Sequence, residues 1–513
     1  MRSSVIFLLL LVSAGLFVVL QITRDIVPHQ VTLAAALPAP APGTGMGGKG
    51  EPPGSKDKAK AKDRNRSEPI RAPGIRPAHP RTGAIEATPP KPKMKRPLRV
   101  IGLGWELVTP GVVANDGSKA GKGSLFARRG LKVTISAASK LDVVEAALAR
   151  GGADKIGADV AIMPLPALVA SYDRLRALKP QMLFVVAWSR GRDGLLLRRG
   201  ASLRHVSRGP KLIGRAGDSA TLLSAYLLTL AGADAKRIKL ISASSLAARH
   251  APYRAARRPL PRNPIFANRK FAATSADARY LLPIVAVAPA GFIKAHGDAL
   301  TVWGHVWLQG VEAMAKDIPG AARKVASLED APHALELLKR LGQIQPASLR
   351  DNARISGLSG RSPLDLPGLF GRFWRLWRAL SVLSAPPPER APLSVEMLSA
   401  LVRTYPALVE AVPPDMTKSR GKRRRASGKE RLLLRYAPKL RPWTWQKAVE
   451  EIGFLAAVFD RSKIRVSLQG SLRRARRLVN ATRARYTLTH PELLEARSHE
   501  KGRMLQISIY LVD

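Results

Sequence analysis

The chain has 513 residues, of which 46% are apolar, 85 are Lys or Arg, 37 are Asp or Glu and none is Cys. This length allows about two to four domains, and the apolar content is sufficient for a folded core. The absence of Cys excludes disulfide-stapled scaffolds, thiolate metal sites and cysteine nucleophiles, and it fits an oxidising compartment. The formal net charge of +48 excludes an acidic disordered protein and indicates anionic surroundings.

An apolar segment near the N-terminus indicates a membrane anchor or a signal peptide. Residues 5–22 form a run of 18 residues with three interruptions, a length that crosses a thin bilayer. The nearest small-residue cleavage site, at 34–36, lies well past this run, which favours an uncleaved anchor over a cleaved signal. Both alternatives for residues 1–30 place the rest of the chain outside the cytoplasm, either anchored at the periplasmic face of the inner membrane or secreted to the periplasm.

Residues 31–97 have the composition of a disordered linker. They contain 13 of the 40 prolines, many glycines and alternating Lys and Asp, without apolar periodicity. Such a segment cannot bury enough apolar surface to fold. The positive charge is not confined to this part, because residues 98–513 still carry a net charge of +38.

From residue 98 to about 345, short β-rich runs alternate with helical stretches. This alternation predicts an α/β fold with parallel sheets covered by helices. Strands are predicted at 98–103, 131–136, 158–163, 182–188, 195–198, 212–215, 238–241 and 280–287, and helices at 141–149 and 219–231.

The remaining sequence is first helical and then mixed. We predict a helical extension at 346–412, a basic loop at 413–430 and a small mixed α/β region at 431–513. The basic loop either binds an anionic partner or is simply solvated. From residue 298 to the end of the chain, helices are predicted at 298–314, 331–341, 369–383, 395–412, 445–459 and 472–484. Extended segments are predicted at 432–436, 464–468 and 505–512.

Signatures of enzymes and metal sites are absent or incomplete. The stretch 117–124 departs from a phosphate-binding loop in its spacing, 102–104 lacks the third glycine of a dinucleotide loop, and 217–221 lacks the last glycine of a nucleophile elbow. The nine His residues form no close pair on one helix face. The sequence therefore predicts no catalytic residue, no metal site and no cofactor.

Ligands of alternating α/β sheets bind at the carboxyl ends of the strands, beside helix N-termini. Three predicted strands end in candidate binding residues. Trp105 and Glu106 follow the first strand, Ser136 and Ala137 end the second, and Met163 ends the third. Trp105 either stacks on a ligand or caps the core.

A fourth loop joins a predicted strand to a helix and resembles an anion site. Arg215, Ser219 and Thr221 would bind a negative group together with the free N–H groups of the helix start. The alternative is that Asp218 or Ser219 merely caps the helix. Trp188, at the end of the fourth predicted strand, offers a second aromatic wall.

The order and spacing of several short motifs in residues 98–344 resemble substrate-binding proteins of ATP-binding-cassette (ABC) transporters, of the class serving nitrate, sulfonate, taurine and thiamine-precursor uptake. The resemblance implies a type II periplasmic-binding fold, in which two α/β lobes hold a ligand between them. The two crossings between lobes would lie near 186–197 and 284–288. The motifs are GGAD at 151–154, GADVAI at 157–162, GPKLIG at 209–214, GADAKRIKL at 232–240, AVAP at 286–289 and FIKAH at 292–296.

The segment from about 441 bears a fainter resemblance to OmpA-like peptidoglycan-binding domains. IRV at 464–466 would be the central strand of that domain, and LRRARRLV at 472–479 its helix. The aspartate and arginine that hold the cell-wall peptide in that family have no match here. The alternative is a mixed α/β extension that packs on the lobes.

These observations predict a membrane-anchored, extracytoplasmic solute-binding protein that is not an enzyme. It would capture a small anion or zwitterion between its lobes for ABC-type uptake or sensing, with an ABC permease as partner. The alternative is a structural envelope protein that tethers the membrane to peptidoglycan or another anionic polymer. Anionic lipid is a further candidate partner, whereas nucleic acid is not expected outside the cytoplasm.

Overall fold

The structure is a computed structural model that describes residues 92–258, 260, 269–410, 430–438, 442–468, 471–498 and 505–512. The predicted membrane segment at 5–22, nearly all of the predicted linker and the basic loop up to residue 429 lie outside these residues. Among the helices that the structure describes, none has both the length and the apolar character needed to span a membrane.

The strands and helices are numbered in chain order. The strands are β1 (Leu98–Gly102), β2 (Val133–Ala137), β3 (Val160–Pro164), β4 (Pro180–Ser189), β5 (Asp193–Arg198), β6 (Lys211–Ile213), β7 (Lys239–Ile241), β8 (Tyr253–Arg257), β9 (Arg269–Thr274), β10 (Pro283–Pro289), β11 (Ile344–Pro346), β12 (Glu430–Tyr436), β13 (Lys463–Ser467), β14 (Leu494–Ala496) and β15 (Gln506–Val512). The helices are α1 (Trp105–Asn115), α2 (Leu125–Arg128), α3 (Leu141–Arg150), α4 (Leu165–Leu175), α5 (Ser219–Leu230), α6 (Ala290–Lys316), α7 (Ile318–Ala326), α8 (Ala334–Leu341), α9 (Leu349–Ile355), α10 (Leu366–Ala379), α11 (Glu396–Thr404), α12 (Pro406–Glu410), α13 (Trp445–Val458) and α14 (Leu472–Arg485).

Two sheets with the same internal order form two lobes. The first sheet has the order β11-β4-β10-β3-β1-β2, and the second has the order β7-β6-β8-β5-β9. Each contains a parallel trio, β2-β1-β3 or β7-β6-β8, followed by one antiparallel strand, β10 or β5. In both lobes this antiparallel strand is the one that arrives from the other lobe.

The chain crosses between the lobes twice, at 190–192 and at 275–282. The first crossing lies within the predicted range. The second lies just before the predicted range 284–288, because those residues form β10 inside the first sheet. The two crossings touch each other: Ser275 Oγ accepts a hydrogen bond from the Gly191 N–H at 2.8 Å and lies 2.8 Å from Ser189 Oγ. The predicted arrangement of two α/β lobes joined by two crossings is confirmed.

The interior strands of the first sheet explain why their sequences are continuously apolar. Strands β3 and β10 lie between neighbours and are buried along almost their whole length, as is β4. Strands buried on both faces carry no polar alternation. Helix α1 packs against α6, where Trp303 and Trp307 are fully buried, and α3 packs against α4.

The C-terminal residues form a separate mixed sheet of order β12-β15-β13-β14. Strand β13, which contains the segment predicted to be central, has neighbours on both sides. Ion pairs attach this region to the rest of the chain. Arg279 Nη1 in the second crossing lies 3.4 Å from Asp460 Oδ2. Arg372 Nη2 of α10 lies 2.9 Å from Glu451 Oε2 of α13.

Candidate functional site: the cleft between the lobes

A cavity of about 970 Å³ lies between the two lobes. The first lobe contributes the loops that follow β1 and β2, at 103–106 and 137–140, and the second lobe contributes the end of β8. The remaining walls are Arg192 in the first crossing, Val143 of α3, the loop 330–332 before α8, and Glu336 and Arg340 of α8. The cavity therefore opens at the carboxyl ends of strands, as the sequence predicts for a ligand site.

Glu106 is placed in the cavity by a tight turn after β1. Gly104 has φ of 110°, a conformation that favours glycine. A Cβ atom at this position would lie only 2.8 Å from both carboxylate oxygens of Glu106. The turn thus brings a carboxylate against the first turn of α1, where the helix dipole stabilises negative charge.

The Glu106 carboxylate forms a buried ion pair with the first crossing. Arg192 Nη2 lies 2.7 Å from Glu106 Oε1, and both side chains are buried. Arg340 Nη1 lies 3.7 Å from Oε2, too far for a hydrogen bond. Oε2 is buried and has no hydrogen-bond partner among the described residues. It is a buried acceptor in the wall of the cleft, and Asp193 Oδ1 is another buried acceptor.

The second lobe contributes Arg257, which lies between two carboxylates. Its Nη2 donates to Asp218 Oδ1 at 2.6 Å, and its Nε lies 3.5 Å from Asp193 Oδ1. Burial lowers the pKa of Arg257, but Asp218 and Asp193 outweigh this effect and raise it. Burial lowers the pKa of Arg192, and the nearby charge of Arg257 lowers it further. The deep part of the cleft is thus a network of alternating charges.

The predicted anion loop contains a carboxylate that binds an arginine of the cleft. Asp218 is the residue before α5, but its side chain forms no cap and instead binds Arg257. Burial raises the pKa of Asp218. Thr221 Oγ1 accepts a hydrogen bond from the Arg215 N–H at 2.9 Å, and Ser219 Oγ is buried without a partner in the described part of the chain. Arg215 is exposed, and neither it, Ser219 nor Thr221 lines the cavity.

Of the other predicted site residues, Trp105, Glu106 and Ala137 line the cavity. Trp105 Nε1 donates to the Asp330 carbonyl at 3.2 Å, which positions its ring at the cavity wall. Ser136, one residue before Ala137, is exposed and does not line the cavity.

Met163 and Trp188 lie outside the cavity, which corrects the prediction for both. Met163 is fully buried in the first sheet opposite Val285 of β10, and α4 begins two residues later, so no open loop remains there. Trp188 is buried and packs edge-on against Tyr280, with 5.1 Å between ring centroids.

Sequence reasoning missed three arginines of the site, namely Arg192, Arg257 and Arg340. Arg192 and Arg257 lie in or beside strands, and Arg340 is on α8, more than 80 residues from either. A partial signal for Arg192 was present, because it lies in the polar stretch 189–193 between two apolar runs. Nothing in the local sequence marks the other two.

The lobes touch at the edge of the cleft. Gly217 of the second lobe has φ of 76°, and a Cβ atom there would lie 3.2 Å from Leu141 Cδ2 and 3.4 Å from Ala170 Cβ of the first lobe. Glycine is therefore required here both for the backbone conformation and for the close approach. The structure shows the lobes in contact on this side of the cavity.

No protein-family model matches the chain, and no curated protein matches it. Among solved structures, the chain is similar to the periplasmic nitrate-binding protein NrtA from Synechocystis PCC 6803, with 14% identity, a TM-score of 0.41, and coverage of 64% of this chain and 92% of that one. It is similar to the periplasmic aliphatic sulphonate binding protein SsuA from Escherichia coli, with 12% identity, a TM-score of 0.38, and coverage of 58% and 96%. It is also similar to the desulfurization enzyme DSZB, with 11% identity, a TM-score of 0.36, and coverage of 60% and 100%. The two sheets and the two crossings described above agree with the two-lobed arrangement that the sequence resemblance implies.

Proposed function

We propose that residues 98–345 capture a small zwitterionic or anionic solute in the cavity between the lobes. The observation that carries this proposal is the cavity itself, because side chains from both lobes and from the first crossing line one space. A solute that contacts both lobes favours their closed arrangement, which is how such a hinge couples binding to movement. A cavity of this size accommodates a small molecule.

The charges in the cavity favour a solute that carries both signs. Five basic and three acidic side chains line it. Glu106 Oε2 can only accept a hydrogen bond, and a ligand ammonium group would supply the donor that the protein does not. Lys140 and Arg258 line the cavity and form no ion pair among the described residues, so they are available to an acidic group.

This binding role agrees with the prediction of an extracytoplasmic, membrane-anchored chain that serves ABC-type uptake or sensing and catalyses no reaction. In that role the first 30 residues hold the protein at the membrane, and a permease or sensor partner receives the solute. The support for it is the fold together with the sequence features of residues 5–22.

The test uses pairs of probes that differ in one charge. Thermal unfolding of the full chain is measured with taurine, with ethanesulfonate, which lacks the ammonium group, and with ethylamine, which lacks the acid. We expect the largest rise in melting temperature with taurine or another amino acid of that size, and native mass spectrometry of protein from its own host should show one bound small molecule. If no small zwitterion or anion raises the melting temperature and the purified protein carries none, the proposal is wrong.

A further inference from the structure

A second cavity, of about 760 Å³, lies where the second lobe meets the C-terminal sheet. It is formed by three segments: residues 197–204 at the end of β5, 269–272 at the start of β9, and 431–433 at the start of β12. None of these residues lines the cleft between the lobes. We call this space the junction cavity.

Six cationic residues and no acidic residue line the junction cavity. In the cleft, by contrast, the deepest cations are neutralised by carboxylates of the protein. None of the six forms an ion pair with any carboxylate of the described residues. The six are Arg198, Arg199, Arg204, Arg269, Lys270 and Arg431.

The backbone holds two of these cations close together. In the antiparallel pair of β5 and β9, Arg198 lies directly opposite Arg269. Like charges directly opposite each other destabilise a pair of strands. The arrangement therefore has a cost in the absence of a counter-charge, and a bound anion would remove that cost.

Arg269 is the most buried of the six and is incompletely satisfied. Its Nη2 donates to the Ala251 carbonyl at 3.0 Å, whereas its Nη1 is buried and has no hydrogen-bond partner in the described part of the chain. Burial, with Arg254 and Arg198 nearby, lowers the pKa of Arg269. A buried donor without a partner is unfavourable, and an anion oxygen would satisfy it.

Hydrogen bonds fix the walls on either side of these cations. The Tyr253 hydroxyl donates to the Ser202 carbonyl at 3.2 Å and holds the turn after β5 in place. Arg431 Nη2 donates to the Ala272 carbonyl at 3.3 Å and attaches β12 to β9. Buried Leu203 and Leu433 complete the lining. The cavity is thus a concave space with fixed walls, which suits a compact ligand.

We propose that the junction cavity binds a compact ligand that carries more than one phosphate charge. Guanidinium groups match phosphate oxygens in geometry and form charge-assisted pairs with them, and five of the six cations are arginines. Three protein segments line a space of about 760 Å³, a volume that suits a small headgroup rather than a long polymer. The same chemistry is present in a soluble phosphorylated compound and in the phosphate headgroup of a lipid.

The test compares the full chain with two triple variants. The site variant is Arg198→Gln, Arg199→Gln and Lys270→Gln, which removes three exposed charges from the cavity. The control is Arg473→Gln, Arg476→Gln and Arg477→Gln, which removes three exposed charges from α14. Both sets are exposed, so both variants are expected to fold, and matching denaturation midpoints will verify this.

Binding of tripolyphosphate is measured by calorimetry at physiological ionic strength. We expect the wild type and the control to bind it equally and the site variant to bind at least about a hundredfold more weakly, since each charge-assisted contact removed costs on the order of tenfold. In a second arm, vesicles of phosphatidylcholine with cardiolipin replace tripolyphosphate. If the site variant loses only vesicle binding, the ligand is a lipid headgroup. If it loses only tripolyphosphate binding, the ligand is a soluble compound. Each result supports the proposal. If the control weakens binding as much as the site variant does, or if the wild type binds neither probe, the proposal is wrong.

Discussion

Removing the charge of Glu106 tests the network at the centre of the cleft. The substitution Glu106→Gln keeps the size of the side chain and one acceptor oxygen but leaves Arg192 without its counter-charge. The two side chains are 3% and 6% exposed and lie 2.7 Å apart. Removing one partner of a buried pair costs about 3–5 kcal/mol. Because the Gln oxygen still accepts a hydrogen bond, we expect a loss near the lower end, about 3 kcal/mol in the free energy of unfolding.

An exposed pair of almost the same length provides the matched control. Asp173 and Arg176 lie 2.6 Å apart but are 30% and 47% exposed. Exposed pairs contribute at most about 1 kcal/mol, because water screens them and the side chains lose entropy. Asp173→Asn should therefore change the stability much less than Glu106→Gln, and burial is the variable that separates the two.

The measurement is urea unfolding of the full chain, followed by tryptophan fluorescence. The double variant Glu106→Gln with Arg192→Gln should be more stable than Glu106→Gln alone, because no buried charge is then left unpaired. Equal losses for Glu106→Gln and Asp173→Asn would show that Arg192 is solvated in the cleft. That result would refute both the network and the argument for an open acceptor at Glu106.

Three further substitutions test other parts of the structure. Gly217→Ala places a Cβ at φ of 76° and 3.2 Å from Leu141 of the other lobe. We expect the free energy of unfolding to fall by about 1–3 kcal/mol and solute binding to weaken. Unchanged binding would mean that the lobes do not need this contact. His305 is buried, and its pKa is lowered by burial and by a nearby arginine from 6.5 to about 4. As the pH falls, the imidazole of His305 is protonated in the unfolded chain before it is protonated in the folded chain. The free energy of unfolding should therefore fall by about 3 kcal/mol as the pH drops from 6.5 to about 4. His305→Phe should reduce this dependence of stability on pH. Asp159 accepts hydrogen bonds from both Nη atoms of Arg96, at 2.6 and 2.7 Å; Asp159→Asn should cost about 2–4 kcal/mol in urea unfolding, and a change below about 0.5 kcal/mol would contradict this role.

The sequence predicts the strands of the first lobe well because those strands are interior. Strands β3, β4 and β10 are covered on both faces, so burial alone selects unbroken apolar runs, and these runs are visible without any knowledge of the fold. Helix α3 follows from its apolar spacing in the same direct way, and α5 from a long apolar run. The alternation of the two element types then indicates a two-layered α/β lobe.

Other elements leave no such local signal. Helix α1 is buried on nearly all sides and contains Pro110, so neither amphipathic spacing nor propensity reveals it. Strands β8 and β9 have the sequences YRAAR and RKFAAT, in which cationic residues hide the strand pattern. Arg257 of β8 lines the cleft, and Arg269 and Lys270 of β9 line the junction cavity. Only the tertiary structure brings these cations to the cavities.

The residues of the candidate site could likewise be predicted only in part. The rule that ligands bind at strand ends points to Trp105, Glu106 and Ala137, which line the cavity, because that rule depends only on the order of elements. It fails for Met163, because an antiparallel neighbour and an immediate helix close that strand end. It is silent about Arg257, which comes from the other lobe, so the sequence could not reveal the pairing of Arg257 with Asp218.

The pairing of charges predicts that the two cavities respond differently to salt. In the cleft, Arg192, Arg257 and Arg340 are already paired, and only Lys140 and Arg258 lack a carboxylate partner among the described residues. A zwitterion also carries no net charge, so its binding displaces few counter-ions. In the junction cavity, six cations lie without a carboxylate partner among the described residues, and a bound anion replaces their mobile counter-ions. Raising the ionic strength should therefore weaken tripolyphosphate binding steeply and taurine binding only slightly. An equal salt dependence for both ligands would show that the pairing described here does not govern binding.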